Sequence, residues 1–188
     1  MSISEVILFA LAAVVLFWAV GAYNRLVRLR NEIANAFAQI DVQLKRRHDL
    51  IPNLVETVKG YAGHERETLE AVVRARNAAV SAQGPEAQAS AEQGLSGALG
   101  RLIALSEAYP DLKANQNFLD LQAQLSTIED KLAAARRFFN NAVSEFNASV
   151  QSIPAVFFAK SFGFFTREFF DVGETARAQL DKAPDVKF

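Results

Sequence analysis

The chain has no cysteine. No disulfide can staple it, and thiolate nucleophiles, cysteine-based redox chemistry and zinc ribbons are excluded. Glycine and proline are scarce, 9 and 5 of 188 residues, in a composition that is 51% hydrophobic and suits long helices better than a sheet. Histidine occurs twice, at His48 and His64, sixteen positions apart, and HERETLE lacks the HExxH spacing, so a histidine metal centre has no support. A formal net charge of −1 offers no general attraction to nucleic acid, and the basic run Lys45 to Arg47 has no adjacent aromatic platform for stacking bases. There is no P-loop, no GxGxxG after a strand, no GxSxG and no DxDxDG loop. The expectation is a protein that is not an enzyme, with no catalytic residues, no cofactor, no metal and no nucleic-acid partner.

What is present begins with VILFALAAVVLFWAVGAY, Val6 to Tyr23, eighteen residues without a charge. As a helix this run is about 27 Å long, set against a hydrocarbon core of about 30 Å. Only MSISE precedes it, with Glu5 as the one charge, which does not fit the positive leader of a cleaved signal peptide. Arg25, Arg28 and Arg30 follow at once, so the positive-inside bias predicts a single-pass anchor with the N-terminus outside and the remainder cytoplasmic. The bilayer is thus the first expected partner, through Val6 to Tyr23.

Beyond the anchor, Leu26, Leu29, Ile33, Phe37, Ile40, Leu44, Ile51, Val55 and Val58 recur at steps of three or four, with His48 filling the one gap. Pro52 should kink this helix, and Gly60 and Gly63 loosen the chain after it. A second helix carries Leu69, Val72, Val73, Ala79 and Val80, and Gly84 and Pro85 mark the best turn. A third carries Leu95, Leu99, Leu102, Leu105 and Tyr109; its Gly94, Gly97 and Gly100 leave a bare strip for another backbone, or simply a loosely wound start. After Pro110, Phe118, Leu125, Leu132, Phe139, Phe146 and Ile153 fall seven apart, with Leu121, Ile128, Ala135 and Ala142 interleaved, a sustained heptad seam. The fold class predicted is all-α: an N-terminal transmembrane helix followed by a long antiparallel, coiled-coil-like bundle. Two topologies fit, one long hairpin or four helices turning at Gly60 to Gly63 and again at Tyr109 and Pro110.

Pro154 ends the last helix before AVFFAKSFGFFTREFF, which holds seven of the 15 phenylalanines. Helix parity returns this segment to the membrane side. Phe157, Phe158, Phe162, Phe164, Phe165, Phe169 and Phe170 are therefore candidate membrane or oligomer contacts, and Phe158, Phe162, Phe165 and Phe169 would share one face of a helix that acts as an interfacial wedge. The division expected is a short outer N-terminus (1–5), the span (6–23), a cytoplasmic bundle (24–153), a Phe-rich membrane-proximal segment (154–170) and a loosely docked polar tail (171–188). LKRRHD, Leu44 to Asp49, reads as a solvated face with local ion pairs.

QIDVQLKRRHDLIPNLVETVKGYAGHERETLEAVVRAR (39–76) and LSGALGRLIALSEAYPDLKANQNFLDLQAQLSTIEDKLAAARRFFNNAVSEFN (95–147) resemble the LemA family of bacterial membrane proteins. The strings DVQLKRRHDLIPNLVETVKGYA and EAYPDLKAN are long and ordered, although Phe139 and Phe146 stand where many relatives carry Tyr. The resemblance implies an anchor in the bacterial inner membrane, a cytoplasmic helical bundle and no catalytic residues. A relative associated with magnetosome formation points to membrane organisation. The resulting expectation is a membrane-anchored, homo-oligomeric scaffold. The rivals are a membrane-shaping protein and an accessory subunit of a membrane protease or transporter, in contact with other membrane proteins.

Overall fold

In the computed structural model, which describes residues 2–171, there are five α-helices and no strand among the described residues. They are α1 (Ile3–Lys59), α2 (Arg66–Ser81), α3 (Pro85–Ser106), the single turn α4 (Pro110–Lys113) and α5 (Gln116–Gln151). Two 3-10 turns follow, Ala155–Phe157 and Lys160–Phe162. The all-α expectation holds. The polar tail from Val172 onward lies outside the described residues.

The chain divides into two units, one of residues 2–39 with Arg137–Glu168, the other of Ile40–Arg136 with the described residues from Phe169 on. The second unit is an up-down-up-down bundle of the last third of α1, then α2, α3 and the first half of α5. Its core gathers Ile51, Leu54, Val58, Val72, Leu95, Leu102, Leu112 and Phe118, each essentially inaccessible. Each such side chain contributes roughly 1.5–3 kcal/mol by its burial. Four helices, not one hairpin, therefore make this unit. Cross-links fix the sense of each pass: Tyr61 Oη accepts from Asn115 Nδ2 at 2.9 Å, and Tyr109 Oη donates to Glu65 at 3.1 Å. Asn115 also caps α5, its Oδ1 accepting the Phe118 N–H at 3.0 Å. Gly84 takes φ +86°, a conformation that suits glycine, and Pro85 opens α3 where its missing N–H costs nothing.

Pro52 lies inside α1 without ending it. It cannot donate to the carbonyl of His48, four residues back. That carbonyl instead accepts from Arg76 Nε on α2 at 2.9 Å, so the defect in one helix becomes the attachment point for its neighbour.

Several expectations change. Gly94, Gly97 and Gly100 face open space, and a Cβ on any of them would meet nothing within 4 Å, so no backbone approaches that strip among the described residues. Val73 and Val80 are exposed while Leu69, Val72 and Ala79 of the same helix are buried. On α5, Phe118, Leu125, Leu132, Phe139 and Phe146 are buried, whereas Ile153 is 64% exposed. The reason is local: α5 stops at Gln151, because Pro154 has no N–H and disfavours helical backbone at the residue before it, so the heptad runs out before its last member.

Candidate functional site

Two constellations stand out, one in each unit. In the unit of residues 2–39 and 137–168, the Phe-rich segment is folded around a glycine. Phe164 N–H donates to the Ala159 carbonyl at 2.9 Å, closing a turn whose corner is Gly163 at φ +76°. That corner breaks the continuous helix on which the wedge depended, so Phe158, Phe162, Phe165 and Phe169 do not form one helical face. Phe164 turns inward and is 1% exposed. Its ring meets Tyr23 edge-on at 5.5 Å and Phe146 at 6.4 Å, with the Arg30 guanidinium over it at 5.4 Å. Phe162 also packs edge-on against Tyr23, at 5.5 Å. With Phe158 it closes an apolar hollow of about 350 Å³ against Leu16, Val20 and Tyr23.

After the corner the chain runs without regular secondary structure, and Asn147 of α5 holds its backbone at both ends of one residue. Arg167 N–H donates to Asn147 Oδ1 at 2.8 Å, and Asn147 Nδ2 donates to the Arg167 carbonyl at 2.9 Å. Phe157, Phe162 and Phe165 remain exposed and Phe158 half-buried. Of the expected topology-setting cations, Arg25 pairs with Glu145 at 3.2 Å, Arg28 is exposed and Arg30 covers Phe164.

The bundle unit holds the second constellation, a polar cluster in its interior. Arg47 Nη1 donates to Glu92 at 2.9 Å and lies 3.2 Å from Glu129, while its Nη2 donates to Ser96 Oγ at 2.8 Å. His48 Nε2 shares a 2.6 Å hydrogen bond with the other oxygen of Glu92. Arg136 reaches Glu129 at 3.6 Å and lies over the Phe170 ring at 5.3 Å. Burial lowers the pKa of Arg136 below the usual arginine value, Glu129 opposing and Arg47 adding to that push. Phe169 is exposed and Phe170 buried in this unit. Phe164 and Phe170 are thus taken up by the chain itself, a correction to their expected role as membrane or oligomer contacts.

The basic run LKRRHD is likewise not wholly a solvated face, because Arg47 and His48 are buried. Their partner Glu92, 1% exposed, was not singled out in the sequence. The signal was present: Glu92 falls between Ala89 and Leu95 on the buried stripe of α3, a carboxylate where the period calls for an apolar residue.

Chemically the cluster is a structural tie. Ser96 is bonded to Arg47 instead of His48, so serine, histidine and glutamate do not form a relay. Among the described residues no group of three or more His, Cys, Asp or Glu is placed to hold a metal ion. Replacing Arg76 by Met should cost about 1–3 kcal/mol, since it strands the His48 carbonyl. Urea denaturation followed by circular dichroism measures this, and adding Pro52→Ala should recover part of the loss by restoring an N–H to the same carbonyl.

α1 is one helix long and apolar enough, near the N-terminus, to cross a membrane, and none of its apolar window is buried inside the chain. The model of the LemA family matches residues 36–188. Protein LemA of Metamycoplasma hominis is 29% identical over 181 residues, 93% of this chain and 81% of its own. Magnetosome protein MamQ 2 of Paramagnetospirillum magneticum and Magnetosome protein MamQ of Magnetospirillum gryphiswaldense are each 25% identical over 174 residues, 79% of this chain. The chain spans 64% of the length of these two magnetosome proteins. With the family model covering most of its length, the chain belongs to the LemA family.

Proposed function

We propose that this protein is a membrane-anchored helical scaffold that acts through protein contacts as a homo-oligomer at the cytoplasmic face of the bacterial inner membrane. The observation that carries this reading is the Phe-rich segment at the end of the apolar run. Phe162 and Phe164 pack on Tyr23, yet Phe157, Phe162 and Phe165 stay exposed on a segment whose backbone is clamped. Clustered exposed aromatics on an ordered support are the surface that protein contacts select. The magnetosome relatives support a role in organising membrane or its proteins. Arg25, Arg28 and Arg30 directly after the run favour a cytoplasmic bundle.

The lack of cysteine makes the test clean, because single cysteines introduced at Ser2 and Ser90 are the sole thiols. Ser2→Cys should react with an impermeant maleimide in intact cells and Ser90→Cys only after lysis. Cross-linking in native membranes should give a ladder of homo-oligomers. A monomer alone would remove the oligomeric part of the reading, and labelling of Ser90→Cys in intact cells would reverse the topology.

A further inference from the structure

We propose that the groove between α1 and the C-terminal end of α5 seats one membrane phospholipid with a primary-amine headgroup; this rests on the membrane-anchored reading above. The groove encloses about 510 Å³, within the range of about 300–1,000 Å³ usual for small-molecule sites. One end is walled by Phe17, Trp18 and Gly21, which belong to the apolar run. The other reaches Arg25 and Glu145, beside Ser149. Arg25 lies one helical turn beyond Gly21, about 6 Å along the axis.

Polarity therefore changes along the groove as it does along a phospholipid, from hydrocarbon to a zwitterion. The occupant is fixed by charge and by place. Arg25 and Glu145 form an exposed pair at 3.2 Å, so both retain donor and acceptor capacity toward a ligand. A guanidinium suits the phosphate and a carboxylate suits an ammonium group. An anionic headgroup without an amine would meet Glu145 unfavourably. The apolar wall continues a surface that the chain leaves unburied, so an acyl chain in the groove extends contacts the bilayer already makes with α1. Gly21 provides the opening: a Cβ there would meet nothing within 4 Å, so a larger side chain fills the groove without displacing protein.

The test uses the full chain extracted in detergent, with native mass spectrometry after adding phosphatidylethanolamine, phosphatidylglycerol or phosphatidylcholine. Phosphatidylethanolamine should be retained over phosphatidylglycerol by roughly threefold to fivefold, the reach of one partly exposed charge contact. Glu145→Gln should flatten that preference. Gly21→Leu should remove the adduct while the melting temperature does not fall. An adduct that survives Gly21→Leu, or equal retention of all three lipids, overturns the proposal and leaves the anchor intact. Release of the chain from membranes by alkaline carbonate overturns the anchor and the groove together.

Discussion

Replacing Glu92 by Ala is expected to destabilise the bundle unit by about 3–5 kcal/mol, the loss typical when one member of a buried ion pair is removed. Glu92 accepts from Arg47 at 2.9 Å and shares a 2.6 Å hydrogen bond with His48 through its other oxygen. Without it the Arg47 guanidinium stays buried with Ser96 and the half-buried Glu129 as its remaining partners. Such a loss is a large share of the ~5–15 kcal/mol that holds a typical domain folded. The measurement is urea denaturation of the full chain in detergent, followed by far-ultraviolet circular dichroism. The triple variant Arg47→Met, His48→Leu, Glu92→Leu should be more stable than Glu92→Ala alone, because an apolar replacement leaves no stranded charge. A triple variant that loses as much as the three single changes added together would show that the cluster contributes net stability and is not simply self-compensating.

Phe164→Ala should release the Phe-rich segment from its own unit. A buried phenylalanine truncated to alanine costs about 3–5 kcal/mol. Its two ring contacts and the Arg30 cation–π contact are lost with it. What remains is the Phe162 contact with Tyr23, the buried Ala155 and Ala159, and the two-bond clamp at Arg167, the clamp worth about 1–3 kcal/mol by the usual net value of hydrogen bonds. Hydrogen exchange of residues 155–168 should therefore rise toward the rate of free chain, while the core around Leu95 and Leu102 keeps its protection. Phe165→Ser, at an exposed ring, should change stability by no more than about 0.5 kcal/mol. If both variants leave exchange unchanged, Phe164 is not what holds the segment.

The apolar residues of α1 and α5 were legible from periodicity because burial on a helix repeats with its turn. Leu44, Ile51 and Val58 on α1, like Leu132 and Phe146 on α5, sit where a 3.5 to 3.6 period puts them. The long apolar helix at the N-terminus was legible from the length of an uncharged run. Two features were not. The interfacial wedge presupposes a continuous helix, and Gly163 at φ +76° interrupts it. The polar cluster joins residues 45 positions apart, Arg47 and Glu92, and a single periodicity reports only which face of its own helix is inward. His48 filling the gap in one stripe and Glu92 breaking another were each visible; that they meet is information about topology, which no local pattern contains. The same holds for Arg76, whose role is set by a donor that Pro52 lacks on another helix.

Asn147 grips Arg167 by its N–H and its carbonyl and makes no use of the side chain. This is recognition of the kind an edge strand offers an added peptide, performed here by one amide projecting from a helix. It reads direction and register and is blind to composition. The chemistry of position 167 is therefore open to change, proline excepted, while the number of residues between it and the inward ring at 164 is not. A segment held in this way can exchange its outward rings over evolutionary time without relinquishing its seat.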